Sequence, residues 1–421
     1  MKRYPAYKDS GIEWVGEVPR NWELDRLKTV CTFTYGDSLA NEDRVEGDVP
    51  VYGSNGIVGY HDKAITHKPC IVIGRKGSYG KVNFSQTECF PIDTTYFVDD
   101  HSAKCDLKWL NYVLSLLELD KFSKDTGVPG LNREDAHNKR VPIPGNDVQR
   151  SIAKYLDLKT AQIDDLIAKK ERMIELLKEE RTAVINQAVT KGLDPKAEIK
   201  DSGIEWLGQV PKHWQVKRLK YILCIKRGSL KTGPFGSQLK QADMQGSDVK
   251  VYNQRSVIDN DFDSNDLYIS NEKFVELSEF EVFPDDILLT TRGTIGRCAI
   301  FPVNKDKGIL HPCLIRIQLN QNILSNEFAK YFIQDAQSFF ESVKYNSNAT
   351  TIDVIYGERL RDVIFVVPDR NEQDLIVDFL ARKTAQIDAQ VAREQKSIEL
   401  LKEYRTALIS EVVTGKIDVR N

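Results

Sequence analysis

IELLKEERTAVI, Ile174–Ile185, returns as IELLKEYRTALI, Ile398–Ile409, and the same KTAQID precedes both, at Lys159–Asp164 and at Lys383–Asp388. Both echoes are displaced by 224 residues. Around the first copy, Ile152, Leu156, Ile163, Ile167, Ile174, Leu177, Val184 and Ala188 recur at steps that keep them on one face of an α-helix. Ile376, Leu380, Ile387, Val391, Ile398, Leu401, Leu408 and Val412 repeat the pattern. No proline interrupts either stretch, Asn146 or Asp147 and Asn371 are candidate caps, and Gly192 and Gly415 follow the ends. A helix from Asp147 to Thr190 spans roughly 65 Å. One compact domain cannot cover so long an apolar stripe, so the two stripes are expected to bury each other. Two copies of one segment favour an antiparallel pair about a pseudo-twofold axis; a parallel or an intermolecular pairing would use the same residues.

Outward from the helices, a second duplication appears. KDSGIEWVGEVPRNWELDRLK, Lys8–Lys28, matches KDSGIEWLGQVPKHWQVKRLK, Lys200–Lys220, at 14 of 21 positions, with an offset of 192. The chain therefore reads as box, variable segment, helix, twice over, with a period too long for a solenoid. The boxes, with Trp14 and Trp22 in one and Trp206 and Trp214 in the other, read as structural clamps at a module entrance. Between box and helix, VIGRKGSYGKV, Val72–Val82, parallels LTTRGTIGRCA, Leu289–Ala299, each a strand entering a basic GxxG turn. DLKWLNYVLSLL, Asp106–Leu117, parallels NEFAKYFIQDAQSFF, Asn326–Phe340, as amphipathic helices, and VPIP, Val141–Pro144, parallels VVP, Val366–Pro368, as extended exits. The expected class is α/β (α+β): two mixed α/β domains joined by two long antiparallel coiled-coil-like helices in a pseudo-twofold internal repeat.

Composition narrows the function. Lys and Arg total 59 against 62 Asp and Glu, a formal charge of -3, so any nucleic-acid contact must come from a local basic surface. The N-terminus lacks the apolar core of a signal peptide and no run is long enough to span a bilayer, so a cytoplasmic protein with no membrane partner is expected. Cys31, Cys70, Cys89, Cys105, Cys224, Cys298 and Cys313 form no CxxC pair, and the six histidines are isolated in sequence, which points to no metal site.

Catalytic motifs are equally absent. GRKGSYGK, Gly74–Lys81, has five residues between its outer glycines, one more than a phosphate-binding loop, and Val82 stands where Ser or Thr is needed. No PP dipeptide exists to build the loop with which amino-methyltransferases grip a base, and no nucleophile, base and oxyanion set assembles. No catalytic residue is assigned.

Binding chemistry fits better. Ser54 and Asn55 in YGSNG, with Arg75, Lys76, Ser78, Tyr79 and Lys81 on the first GxxG turn, are candidate DNA contacts. Asn253, Gln254 and Arg255 in YNQRS, with Thr291, Arg292, Thr294 and Arg297 on the second turn, are their counterparts. Amides and cations on tight turns suit phosphate oxygens, while Arg, Asn and Gln carry the fork geometry that reads base edges. The plainer reading of each is a polar residue capping a strand. Two divergent modules on duplicated spacers imply an asymmetric, split target, and uninterrupted helices imply that helix length sets the gap between its halves.

The order of KDSGIEWxGxVPxxW, VYGSNG, PGLNRED, KTAQID and IELLKExRTAxI resembles the specificity (S) subunit of type I restriction-modification systems over essentially the whole chain. The resemblance implies a target-recognition domain at 1–145, a central conserved helix at 146–192, a second target-recognition domain at 193–369 and a C-terminal conserved helix at 370–421. It implies a subunit without catalysis or cofactor of its own. Such a subunit binds double-stranded DNA and recruits two modification subunits, which methylate adenine with S-adenosylmethionine, and restriction subunits that use ATP and Mg2+. The alternative is a coiled-coil adaptor whose two globules bind proteins; a stand-alone methyltransferase is a third.

Overall fold

The computed structural model describes residues 2–121, 129–264, 266–347 and 354–420. Two compact units emerge, Met1–Glu171 with Gln395–Asn421, and Arg172–Glu394. Four helices organise them: α1 (Leu107–Leu116), α2 (Asn146–Lys191), α3 (Asn326–Asp335) and α4 (Arg370–Val413). No helix among the described residues is long and apolar enough to cross a membrane.

Within the first unit, strands Thr34–Tyr35, Thr95–Val98, Cys70–Gly74 and Val82–Ser85 form an antiparallel sheet in that order. A second sheet places Val49–Gly53 between Gly56–His61, antiparallel, and Phe90–Pro91, parallel. The other unit has the same plan. Its four-stranded sheet orders Leu230–Thr232, Leu314–Ile317, Ile287–Thr290 and Cys298–Ile300, and its three-stranded sheet places Val249–Tyr252 between Tyr268–Ile269 and Gly308–Leu310. The central strands Cys70–Gly74 and Ile287–Thr290 are buried throughout, which explains their continuous apolar runs where a half-exposed strand would alternate.

Each box is a clasp on a helix end. Tyr7–Asp9 pairs with Glu17–Pro19, and Ile199–Asp201 with Gln209–Pro211; Asp9 and Asp201 each accept the N–H two residues on to tighten the intervening loop. Trp22 and Trp214 are buried, whereas Trp14 is exposed. Trp214 lies against Gly192 at the end of α2, and Trp22 and Pro19 against Gly415 beyond α4. Both glycines are left-handed, at φ +75 and +76, and a Cβ there would press on the indole or proline. The Tyr7 hydroxyl also donates to the Gly415 carbonyl.

The strand after each box pairs with the exit strand of its unit: Glu23–Arg26 with Arg140–Ile143, and Gln215–Arg218 with Ile364–Val367. Entry and exit are thus closed side by side. A buried glutamine then locks each long helix to its unit. Gln149 accepts the Asp106 N–H at the start of α1 and donates to the Pro144 carbonyl. Gln373 accepts the Ser325 N–H at the start of α3 and donates to Pro368 and Ile323. The helix starts differ from the expected caps. Gly145 supplies a carbonyl to the first turn of α2, and Asp369, not Asn371, accepts the Glu372 N–H in α4.

The first half of α2 shares a unit with the second half of α4, and the second half of α2 with the first half of α4, so the helices run antiparallel. The duplicated motifs are each other's partners. Asp164 of one KTAQID takes both Arg405 Nε, at 2.9 Å, and Nη2, at 3.2 Å, from the second RTA, while Arg181 of the first RTA reaches Asp388 of the other KTAQID at 3.1 Å. Ile163, Ile167, Ile174 and Leu177 of α2 are buried, as are Ile376, Leu380, Ile387 and Ile398 of α4. Each such side chain contributes about 1.5–3 kcal/mol, against about 0–1 kcal/mol for an exposed ion pair. The stripe supplies the stability and the ion pairs fix register. Thr160 and Thr384, buried beside it, satisfy their hydroxyls on the Leu156 and Leu380 carbonyls one turn back.

Candidate nucleic-acid interface

Both GxxG segments are hairpin turns, and one hydrogen-bond scheme builds both. Gly74 N–H donates to Lys81 and Gly80 N–H to Gly74; Thr290 N–H donates to Arg297 and Gly296 N–H to Thr290. Arg75 N–H and Thr291 N–H then bond to Thr94 and Cys313 on the neighbouring loops. A strand, not a helix, follows each turn, so neither offers the helix N-terminus on which a phosphate-binding loop depends. Gly77 and Gly80 at φ +71 and +76, and Gly293 and Gly296 at +64 and +80, carry the left-handed positions the turns require.

This scheme shifts by one the correspondence obtained by laying Val72–Val82 end to end on Leu289–Ala299, which sets Arg75 opposite Arg292. Lys76, not Arg75, occupies the place of Arg292, and both are exposed; Lys81 matches Arg297, likewise exposed. Arg75 corresponds to the buried Thr291 and is half-buried, donating from Nη1 to the Asp93 carbonyl. Thr291 Oγ1 donates to the Cys313 carbonyl, and Thr294 gives its carbonyl to the Thr290 hydroxyl. Ser78 and Tyr79 line a concavity with Asn55, Lys81 and the end of α1.

The second candidate loop buttresses the turn in each unit. Ser54 Oγ donates to the Thr94 carbonyl at 2.8 Å and Lys76 at 2.5 Å, and Lys81 Nζ donates to Asn55 Oδ1 at 2.8 Å and to its carbonyl at 3.0 Å. In the other unit Gln254 Nε2 donates to the Arg292 and Thr294 carbonyls. YGSNG and YNQRS are therefore brought onto the turns. Asn253 is a helix cap, its Oδ1 accepting the Ser256 N–H, and Arg255 faces solvent while pairing with Asp259 at 3.1 Å.

Four residues beside the turns escaped the sequence reading. The exposed ring of Tyr35 is flanked by Arg75 and Arg133, whose guanidinium carbons lie 5.0 and 5.1 Å from its centroid. Tyr35 in turn packs edge-on against Tyr96, whose phenol is pushed up to about 12 by burial and then by Tyr35. Arg133 follows the helix cap Asn132 in PGLNRED, a motif that could have signalled it. In the other unit Tyr356 and Arg359, with the ring 5.7 Å from the guanidinium, line a groove of about 550 Å³ with Thr232, Phe235 and Arg292. The segments that carry Arg133 and the Tyr356–Arg359 pair are pinned alike, Leu131 N–H to the Arg75 carbonyl and Ile355 N–H to that of Thr291. Cations, aromatic faces and amides converge on each turn, a combination that suits a phosphate backbone with stacked bases.

The histidines are not all isolated in space: His67 and His101 lie with ring centroids 4.1 Å apart.

Comparison with known proteins agrees with this geometry. Residues 19–176 and 211–400 match the type I restriction modification DNA specificity domain. The type I restriction enzyme MjaVIII specificity subunit of Methanocaldococcus jannaschii is 24% identical over 425 residues, covering 96% of this chain and 95% of that protein. The EcoKI specificity subunit of Escherichia coli is 24% identical over 291 residues, 66% of this chain and 57% of its own. Among solved structures, a chain from a study of complex assembly and conformational transition in a type I R-M system shares the fold at a TM-score of 0.67. Its identity is 13%, covering 95% of this chain and 99% of that one. The HsdS subunit from Thermoanaerobacter tengcongensis gives 0.51 at 14% identity, covering 95% and 98%. With two matches that together span most of its length, on a fold built twice around one kind of turn, the chain belongs to the type I restriction-modification DNA specificity family.

Proposed function

We propose that this chain is the non-catalytic specificity subunit of a type I restriction-modification enzyme and that it reads an asymmetric, two-part site on double-stranded DNA. The supporting observation is one turn built twice with different side chains: Lys76 and Lys81 in one unit, Arg292 and Arg297 in the other. Equal turns would read a palindrome, whereas unequal ones read two different half-sites. Arg292 can grip a guanine edge with two donors. Lys76, a point charge, suits phosphate or a single acceptor.

In this reading the chain carries no cofactor. It positions two modification subunits, which bring S-adenosylmethionine to adenine, and restriction subunits, which bring ATP and Mg2+. The test is selection of duplexes from a random pool by the assembled complex. A single motif with two constant parts and a fixed gap is expected; no enrichment over nonspecific binding would leave the protein-adaptor reading in its place. Inserting four residues after Ala168 is expected to change the preferred gap, and an unchanged gap would remove helix length as the ruler. The purified chain alone is expected to transfer no methyl group from S-adenosylmethionine to DNA.

A further inference from the structure

We infer that His67, Asp100 and His101 form a binding site for a divalent transition-metal ion of the zinc class. The three come from two loops that the sheet brings together. His67 precedes strand Cys70–Gly74, and Asp100 and His101 follow strand Thr95–Val98; the strands are antiparallel, with Ile71 opposite Val98. One Asp100 oxygen lies 3.6 Å from His67 Nδ1 and 3.9 Å from His101 Nε2. One ligand atom from each residue falls within 4.8 Å of the other two. Tetrahedral zinc with bonds near 2.0–2.1 Å places its ligand atoms about 3.3 Å apart. Small side-chain rotations close the remaining difference, because His67, Asp100 and His101 are 58%, 61% and 70% exposed.

The surroundings are ordered for this geometry. Asp99, buried beside the cluster, accepts the His67 backbone N–H at 3.2 Å with Oδ2 and takes the Ser102 hydroxyl at 3.0 Å with Oδ1. Its Oδ2 also lies 3.6 Å from His67 Nδ1. This carboxylate fixes the loop that carries His67, while Asp100 provides the charged ligand. Two imidazoles and one carboxylate select a borderline ion such as Zn2+ over Mg2+ or Ca2+, which require oxygen ligands. The remaining coordination positions open to solvent. The site is at the end of the sheet opposite the Gly74–Lys81 turn, about 10 Å or more along the strand. A bound ion would clip two loops of the first unit without covering the turn, so the inference stands independently of how DNA is read.

The test is titration of the metal-free full chain with Co2+, followed by visible absorption, with displacement by Zn2+. One equivalent of nitrogen- and oxygen-ligated cobalt is expected, together with a Zn2+-dependent rise in melting temperature. His67→Gln or His101→Gln should each weaken binding at least about tenfold and abolish the rise, while the control His213→Gln changes neither. The exposed positions allow the variants to fold, and circular dichroism checks that they do. Absence of binding, binding that both variants retain, or a cobalt-thiolate spectrum would overturn the assignment.

Discussion

Gln149 and Gln373 stand 224 positions apart and tie equivalent elements together, α2 to α1 and α4 to α3, with the same side-chain atoms. Lys76 and Arg292 stand on the same kind of turn, held by the same backbone bonds, and are different residues. The contrast separates two demands on the chain. The framework is duplicated because a buried amide or a helix stripe has one geometric solution in each unit. The tips at Lys76 and Arg292 are free to differ because the fold holds them by their carbonyls, taken by Ser54 in one unit and Gln254 in the other, while both side chains are exposed.

The largest expected effects fall on the framework. Gln373→Ala would leave the Ser325 N–H and the Pro368 and Ile323 carbonyls unpaired, and is expected to cost about 3 kcal/mol; Gln149→Ala, which removes one bond fewer, about 2 kcal/mol. Urea unfolding of the full chain measures both, and equal losses would contradict the ranking. At the turns, Arg292→Ala is expected to cost about 2 kcal/mol of DNA binding, confined to one half-site, whereas Lys76→Ala costs about 1 kcal/mol spread over all sequences. Competition with half-site-substituted duplexes distinguishes them. If the lysine variant proves selective for one half-site, the comparison of point charge with fork is wrong.

Smaller effects test the register of the helices. Asp164→Asn and Asp388→Asn should each lower stability by about 0.5–1 kcal/mol. The loss should be greater for Asp164, whose carboxylate takes two donors from Arg405 where Asp388 takes one from Arg181.

The smallest effect is acid sensitivity in the first unit. His137 Nε2 accepts the Phe33 N–H at 3.0 Å, and burial, ahead of its charged neighbours, holds the imidazole below its usual range. The unfolded chain therefore binds this proton first, and stability is lost as pH falls from about 6.5 toward the lowered folded value. His137→Gln, which keeps an acceptor without titrating, should flatten that part of the pH dependence. An unchanged slope would assign the sensitivity to other groups.

The long helices were legible because a 3.6-residue period is sustained over more than ten turns and then repeated, and the boxes because 14 of 21 positions recur. The parallel between the GxxG turns was legible for a similar reason: glycines mark positive φ. The cation register follows from the same glycines, since Gly77 on Gly293 and Gly80 on Gly296 set Lys76 opposite Arg292, the correspondence that the hydrogen bonds show; matching Arg75 with Arg292 by residue type misses it by one position. Tyr35 with Arg133, and His67 with His101, meet across loops that only sheet order brings together. Gln149 and Gln373 read as ordinary polar residues of a first helical turn, because nothing in the local pattern shows that they are buried.

If two unlike copies of one turn read two unlike half-sites, the two halves of the motif should fail separately. Selection from a random duplex pool by the assembled complex, with the native chain and with Arg292→Ala side by side, tests it most directly. The native chain should select one split, asymmetric motif, and the variant a motif relaxed in one half and intact in the other. No enriched motif, or relaxation of both halves together, would contradict it.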